Sequence, residues 1–265
     1  MIVLLRKHAP ALAAGLGFAV ALFPVARWYV LRMGDGSDEP LGLIALVFAV
    51  GMAWAWRDSL RPTRVSRSLG LVVFGIYGIT VGLEFPPLLR ALPALGSVVL
   101  WTGMWKLPGI SLLLILSLPV VATMQFYLGY PMRIVTAELS SASLNLFGYP
   151  VHRVGTQLLF DGSAFGVDAP CSGVRMLWMS SFFGAAVSAL FRLGWLASAG
   201  LLTSAGAVTL LANSLRATAL FFPEAGMIHL PGWGHEGAGV LLYSLGMVLL
   251  VTVARRLQSQ RPVFS

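Results

Sequence analysis

Apolar residues run along this chain in long blocks, without the two-residue alternation of a half-buried strand or the one-sided stripe of a water-facing helix. A helix that crosses a bilayer needs about 20 mostly apolar residues, and its ends lie where charged or Pro/Gly-rich sequence interrupts the run. Eight blocks are predicted as transmembrane helices: residues 9–30, 41–56, 68–85, 88–105, 108–128, 171–191, 195–222 and 236–253. The second and fourth are short, and the fourth contains Arg90 and Pro93.

The longest interruption is 129–170. Within it, Met132, Val135, Leu139 and Leu146 space apolar positions among small and polar ones, which predicts an interfacial amphipathic helix over 131–147. Over 149–167, β-prone residues surround Asp161-Gly162, a dipeptide suited to a two-residue hairpin turn. The predicted fold is an all-α polytopic membrane protein of about eight transmembrane helices with a small outer cap, an amphipathic helix plus a β-hairpin. It is one integral membrane domain over 1–265. Five spans fall in 1–128, the cap in 129–170, three spans in 171–257 and a cytoplasmic tail in 258–265.

Composition decides what solvent surrounds these elements. Of 265 residues, 57% are hydrophobic and 11% charged, where a soluble domain carries roughly a quarter charged. With a mean hydropathy of +0.83, this excludes a soluble enzyme, a disordered chain and a conventional nucleic-acid-binding domain. The net charge of +8 therefore reflects topology rather than a nucleic-acid partner.

With eight spans and the amino terminus inside, one side carries eleven basic residues (Arg6, Lys7, Arg57, Arg61, Arg64, Arg67, Lys106, Arg192, Arg255, Arg256 and Arg261) and a single acid, Asp58. The other side holds the remaining seven Arg and nine acids. Positive charge marks the cytoplasmic side, so both termini are expected there. Removing the fourth span would put Arg255, Arg256 and Arg261 outside, which favours keeping it. Arg6 and Lys7 before an apolar run resemble a signal peptide, but the run continues past Val20 and reads as a retained first span. The lone cysteine, Cys171, excludes an internal disulfide, and no Cys/His spacing suits zinc, so neither metal nor cofactor is expected.

Polar residues that lipid would penalise gather at the outer ends of the last three spans. The segment 168–175 reads Asp-Ala-Pro-Cys-Ser-Gly-Val-Arg. Asp168 as N-cap and Pro170 in the first turn would place Cys171 beside unpaired amides at the positive end of the helix dipole, which lowers a thiol pKa. Arg175, four residues on, would then share its face one turn deeper. Against this stands the plainer reading of a lone Cys as a small buried hydrophobe.

In the next span Asn213 and Arg216 share a face, and an arginine facing lipid at mid-depth costs at least about 2.5 kcal/mol. Arg216 is thus expected to face a water-filled cavity, the alternative being to snorkel to headgroups or bind a lipid phosphate. His235 opens the last span, whereas His8 is cytoplasmic and His152 and His229 fall in outer loops. A thiol, an imidazole and a fixed cation are the minimum set for acyl transfer.

The order Cys171-Ser172-Gly173-Val174-Arg175, then Asn213-Ser214-Leu215-Arg216, then His235 resembles the motifs of the exosortase/archaeosortase family of multi-spanning membrane cysteine enzymes. The resemblance covers roughly 131–243 and includes Pro131-Met132-Arg133; the first hundred residues match only as apolar spans. It implies a transpeptidase of the bacterial inner membrane acting on its outer face. Implied substrates are exported proteins ending in a short motif such as Pro-Glu-Pro, an apolar helix and a basic tail, passed to a membrane lipid or glycan acceptor, often alongside exopolysaccharide genes. On this resemblance Cys171 is the nucleophile, Arg216 the transition-state cation and His235 the acid/base, with Arg175, Asn213 and Ser172 in support.

Two rival readings remain. Ser172-Gly173 resembles part of a rhomboid serine-protease motif, but Pro170 stands where that motif has glycine. A transporter or assembly factor with an anion or lipid site at Arg216 is the non-enzymatic alternative, without the internal repeats common in transporters.

Overall fold

The computed structural model describes residues 2–35, 40–167, 172–229, 231 and 234–259, with no side chain described for 2–16, 232–236, 238 and 259. Among them are nine α-helices: α1 (Ile2–Gly34), α2 (Leu41–Ala55), α3 (Arg64–Gly82), α4 (Pro87–Thr102), α5 (Pro108–Leu116), α6 (Val121–Leu146), α7 (Val174–Leu190), α8 (Trp195–Glu224) and α9 (Gly234–Ser259). Between α6 and α7 lie three short strands, β1 (His152–Val154), β2 (Gln157–Phe160) and β3 (Ser163–Gly166). Local sequence explains several helix ends. Thr63 and Ser66 form a reciprocal capping box before α3, Pro87 and Pro108 open α4 and α5, and Gly103 stops α4 at φ 83°.

The bundle is packed the way lipid demands. Without a hydrophobic drive between helices in hydrocarbon, close backbone approach and interhelical hydrogen bonds hold them together. Many of its buried positions are accordingly small or hydroxylated, among them Ala45, Ala49, Ala91, Ala94, Ser97, Ser111, Ala185, Ser188, Ser198 and Ala205, beside larger ones such as Ile110, Leu113, Trp178 and Leu201. Large apolar side chains such as Trp54, Leu196, Val240, Leu245 and Val248 point outward. The Ser188 and Ser198 hydroxyls meet at 2.6 Å, and Thr209 of α8 donates to Ser180 of α7 at 2.9 Å.

By length and composition α3, α8 and residues 239–258 of α9 each suffice to cross a membrane, and the pair α5 and α6 would make a fourth span if counted as one. Helices α2, α4 and α7 are apolar but shorter, at 15, 16 and 17 residues. At 1.5 Å per residue they reach about 22–26 Å, a little less than a ~30 Å hydrocarbon core.

Four expectations are corrected. The fifth block, drawn as 108–128, ends as a helix at Leu116, and α6 leaves it at a 90° bend. Pro119 is the cause, since it cannot continue a helix and restrains the residue before it. Pro131, taken as the start of the interfacial helix, instead sits inside α6, which begins ten residues earlier. The hairpin is a three-stranded antiparallel meander, β1-β2-β3. Asp161 and Gly162, at φ 48° and 73°, do make the tight β2–β3 turn, while Gly155 at φ 61° makes a second one between β1 and β2. Finally, the helix drawn from 171 begins as α7 at Val174, after Gly173 at φ 79°. Cys171, Asp168 and Pro170 themselves lie outside the described residues.

Segments assigned to one side by charge do meet in space. Arg192 donates to Ser59 at 2.8 Å and lies 4.9 Å over the Trp56 ring, Trp195 donates to the Trp105 carbonyl at 3.0 Å, and Lys106, Arg192 and Gln258 line one shallow cleft.

The tightest helix contact is α5 on α7. A Cβ on Gly109 would stand 2.2 Å from the Ala189 amide nitrogen and 2.6 Å from the Ala185 carbonyl oxygen. Gly109→Val is expected to cost about 1–3 kcal/mol by forcing the helices apart. Gly51→Ala, which meets nothing within 4 Å, is not. Thermal unfolding of the two variants in detergent checks this.

Candidate active site

Helix α6 supplies the frame. Gln125, Gly129, Met132, Thr136, Ser140 and Leu144 recur at three- and four-residue spacing and so form one face. Each hydroxyl or amide on it holds a neighbour. Ser172 donates to Gln125 Oε1 at 3.1 Å, Asn213 Nδ2 donates to Thr136 Oγ1 at 2.9 Å, and Ser140 donates to the Ser214 carbonyl at 3.0 Å. Ser141 and Asn145 next to that face both donate to the Val151 carbonyl, at 3.0 and 2.8 Å, fixing the chain where it enters β1. One amphipathic helix thereby sets the loop before α7, the outer half of α8 and the small sheet.

The sheet lies over the end of α8. Leu158 is buried and Phe160, Phe165 and Val167 face the same way, against Tyr149, Phe221 and Phe222. The Phe160–Phe221 and Phe165–Phe221 rings meet edge-on at centroid distances of 5.4 and 5.2 Å. Between sheet and helix is a small cavity of about 30 Å³, open on one side. Leu158, Phe165, Gly166 and Val167 form its roof, and Asn213, Arg216, Leu220 and Glu224 are among the α8 residues of its floor.

The predicted residues fall as follows. Asn213 is fully buried and Arg216 half-buried, one turn apart on the cavity wall. Two glycines let other elements approach them. A Cβ on Gly173 would lie 3.0 Å from Asn213 Cγ and Nδ2, so the segment entering α7 rests directly on that amide. A Cβ on Gly239 would lie 3.2 Å from Arg216 Nε, so α9 passes against the guanidinium. His235 stands four residues before Gly239 in α9, one turn nearer the helix start. Ser172 is buried on Gln125, and Arg175 is exposed at the second position of α7; neither is among the described residues lining the cavity.

Sequence reasoning missed Gln125 and Thr136, which anchor Ser172 and Asn213. Their signal was present as polar residues eleven apart on one helical face, hidden because the helix was drawn from 131. It also missed Glu224, exposed two turns beyond Arg216 on the same cavity. Among the described residues no three His, Cys, Asp or Glu side chains gather into a metal-binding group.

Such a chain is a polytopic membrane protein with a half-buried arginine in a cavity at one end of its bundle. The family profile described as Transmembrane exosortase (Exosortase_EpsH) matches residues 16–252, and the chain belongs to that family. No curated protein and no solved structure matches it.

Two variants probe this geometry. Asn213→Ala removes a buried hydrogen bond and the amide on which Gly173 rests, and is expected to cost about 1–3 kcal/mol in thermal unfolding. Gly239→Ala should keep or slightly raise helix stability, since glycine is a weaker helix former than alanine by ~1 kcal/mol, yet its Cβ would displace Arg216. Stability and function moving in opposite directions would be read by unfolding and substrate processing measured side by side.

Proposed function

We propose that this exosortase is a cysteine transpeptidase that cleaves C-terminal sorting signals of exported proteins through a thioester on Cys171. The observation that carries the reading is the meeting of three segments distant in sequence. Gly173 rests on Asn213 and Gly239 rests on Arg216, both residues lining one cavity. Cys171 is two residues from Gly173, a separation the backbone stretches to at most ~7 Å. His235 is one helical turn from Gly239.

The chemistry follows from those positions. The Cys171 thiolate attacks the scissile carbonyl carbon, and the charge that develops on its oxygen is met by the Arg216 guanidinium, held where hydration is limited and its field is strong. Collapse breaks the C–N bond, the leaving amine takes a proton from His235, and the acyl group remains on sulfur as a thioester. An acceptor nucleophile on a lipid or glycan, deprotonated by His235, attacks the thioester and releases the thiolate. Asn213, Ser172 and Arg175 position the loop that carries the nucleophile.

The reading includes eight membrane passes with both termini cytoplasmic and the cavity on the outer face of a bacterial inner membrane. It is supported by the charge count and by the clustering of Ser59, Lys106, Arg192 and Gln258 at the opposite end. Substrates are proteins ending in a short motif, an apolar helix and a basic tail, whose tail the same membrane holds at the right depth.

The deciding experiment traps the acyl-enzyme in native membranes as a hydroxylamine-releasable adduct and locates it by mass spectrometry. It is expected on Cys171 and absent in Cys171→Ala. Continued processing by Cys171→Ala would remove the nucleophile and return the anion-site alternative. Arg216→Lys is expected to slow processing by about 10²–10³-fold, because an ammonium does not reproduce the guanidinium fork.

A further inference from the structure

The three-stranded sheet has two edges, and they are treated differently. The β1 edge is tied to α6, where Arg153 pairs with Glu138, and Ser141 and Asn145 take the Val151 carbonyl. The β3 edge pairs with no other strand among the described residues. In the β2–β3 ladder Leu158 faces Phe165 and Phe160 faces Ser163, while Val167 donates to the Thr156 carbonyl at 2.9 Å. Antiparallel pairing alternates, so Ser163, Phe165 and Val167 turn their N–H and C=O groups toward β2, and Ala164 and Gly166 turn theirs away. Both are exposed.

Natural sheets usually blunt such an edge with charge, proline or cover. Ala164 and Gly166 offer none of these. An open edge with small residues is instead the form that takes up an extended peptide, with main-chain hydrogen bonds giving affinity and every second side chain entering a pocket. Here the pocket is in place: Phe165, Gly166 and Val167 roof the cavity whose floor holds Asn213 and Arg216. The chain runs on from Gly166 to Cys171 in five residues, at most ~17 Å. A peptide lying on this edge therefore reaches the reacting groups within about five of its own residues.

We propose that the β3 edge is the substrate-docking rail of this enzyme: the extended segment of the exported protein next to its scissile bond adds as a fourth strand, pairing with the N–H and C=O groups of Ala164 and Gly166. This rests on the transpeptidase reading and adds to it a strand-forming substrate conformation, with alternate side chains turned into the cavity and the rest turned outward. Recognition by main chain makes positions of the motif that face outward tolerant of replacement, and makes the backbone amides facing β3 intolerant.

Proline at Ala164 tests the rail, because it removes an outward N–H that the sheet does not use, and edge strands accept proline at such positions. Ala164→Thr keeps the N–H and suits a strand. The readouts, in cells expressing the full chain, are the fraction of exported proteins ending in an apolar helix and basic tail that is processed, the alkylation of Cys171 by a small maleimide, and the oligomeric state of the purified enzyme. The proposal expects Ala164→Thr to process near the wild-type level and Ala164→Pro at least tenfold less, with Cys171 alkylated equally in all three proteins.

Full processing by Ala164→Pro overturns the rail while leaving the cysteine reading intact. So does equal loss in both variants, which would point to the side chain rather than the amide. A change in oligomeric state without a change in processing would assign the edge to a second copy of this chain and overturn it too. Processing that survives Cys171→Ala overturns the transpeptidase reading and the rail with it.

Discussion

A guanidinium near the end of a 30-residue apolar helix has to be kept out of hydrocarbon, and the outer half of this protein is arranged around that requirement. Arg216 is neither turned to lipid nor sealed in the core. It lines a cavity floored by α8, roofed by a small sheet and flanked by α9 at Gly239. The residue below it, Asn213, is fully buried, and its amide both bonds Thr136 and supports Gly173. Removing either glycine's freedom would push a side chain into the space these two polar groups occupy. The cavity is therefore a product of what is missing, two Cβ atoms, as much as of what is present.

Helix α6 makes that arrangement possible by its direction. The 90° bend at 117–120 sets it as a beam at right angles to α5. From that beam Gln125, Thr136, Ser140, Ser141 and Asn145 reach α7's leading loop, α8 and β1. Hydrogen bonds are apt for this task because in a lipid setting apolar side chains gain nothing by preferring one another over hydrocarbon. The same logic puts many alanines and serines at the helix contacts and leaves many large side chains facing outward.

Much of this was legible in the sequence. Each of the eight apolar blocks contains a helix, because a run of hydrocarbon-compatible residues has few other options. The Asp161-Gly162 turn was equally plain, since both residues tolerate positive φ. What failed depended on choosing between prolines. Pro119 and Pro131 carry the same local signal, and only packing decides that the first breaks a helix while the second rides inside one. The start of α7 also differs from the start of its apolar block: Gly173, left-handed and pressed on Asn213, puts it at Val174 and not at 171. Family resemblance supplied roles for Cys171, Arg216 and His235 that no pattern of hydropathy contains. The supporting pair Gln125 and Thr136 became visible only once α6 had its proper start.

The central claim is that the 171 segment and the start of α9 meet over Arg216, and one measurement addresses it directly. Cys171 is the chain's single cysteine, so a second introduced by His235→Cys can be bridged to it by a short bifunctional thiol reagent and the product read by mass spectrometry. The account predicts efficient bridging in the folded protein in membranes and none when the second cysteine replaces His8 instead. Absence of any bridge between positions 171 and 235, with both thiols reactive toward a monofunctional reagent, would contradict it.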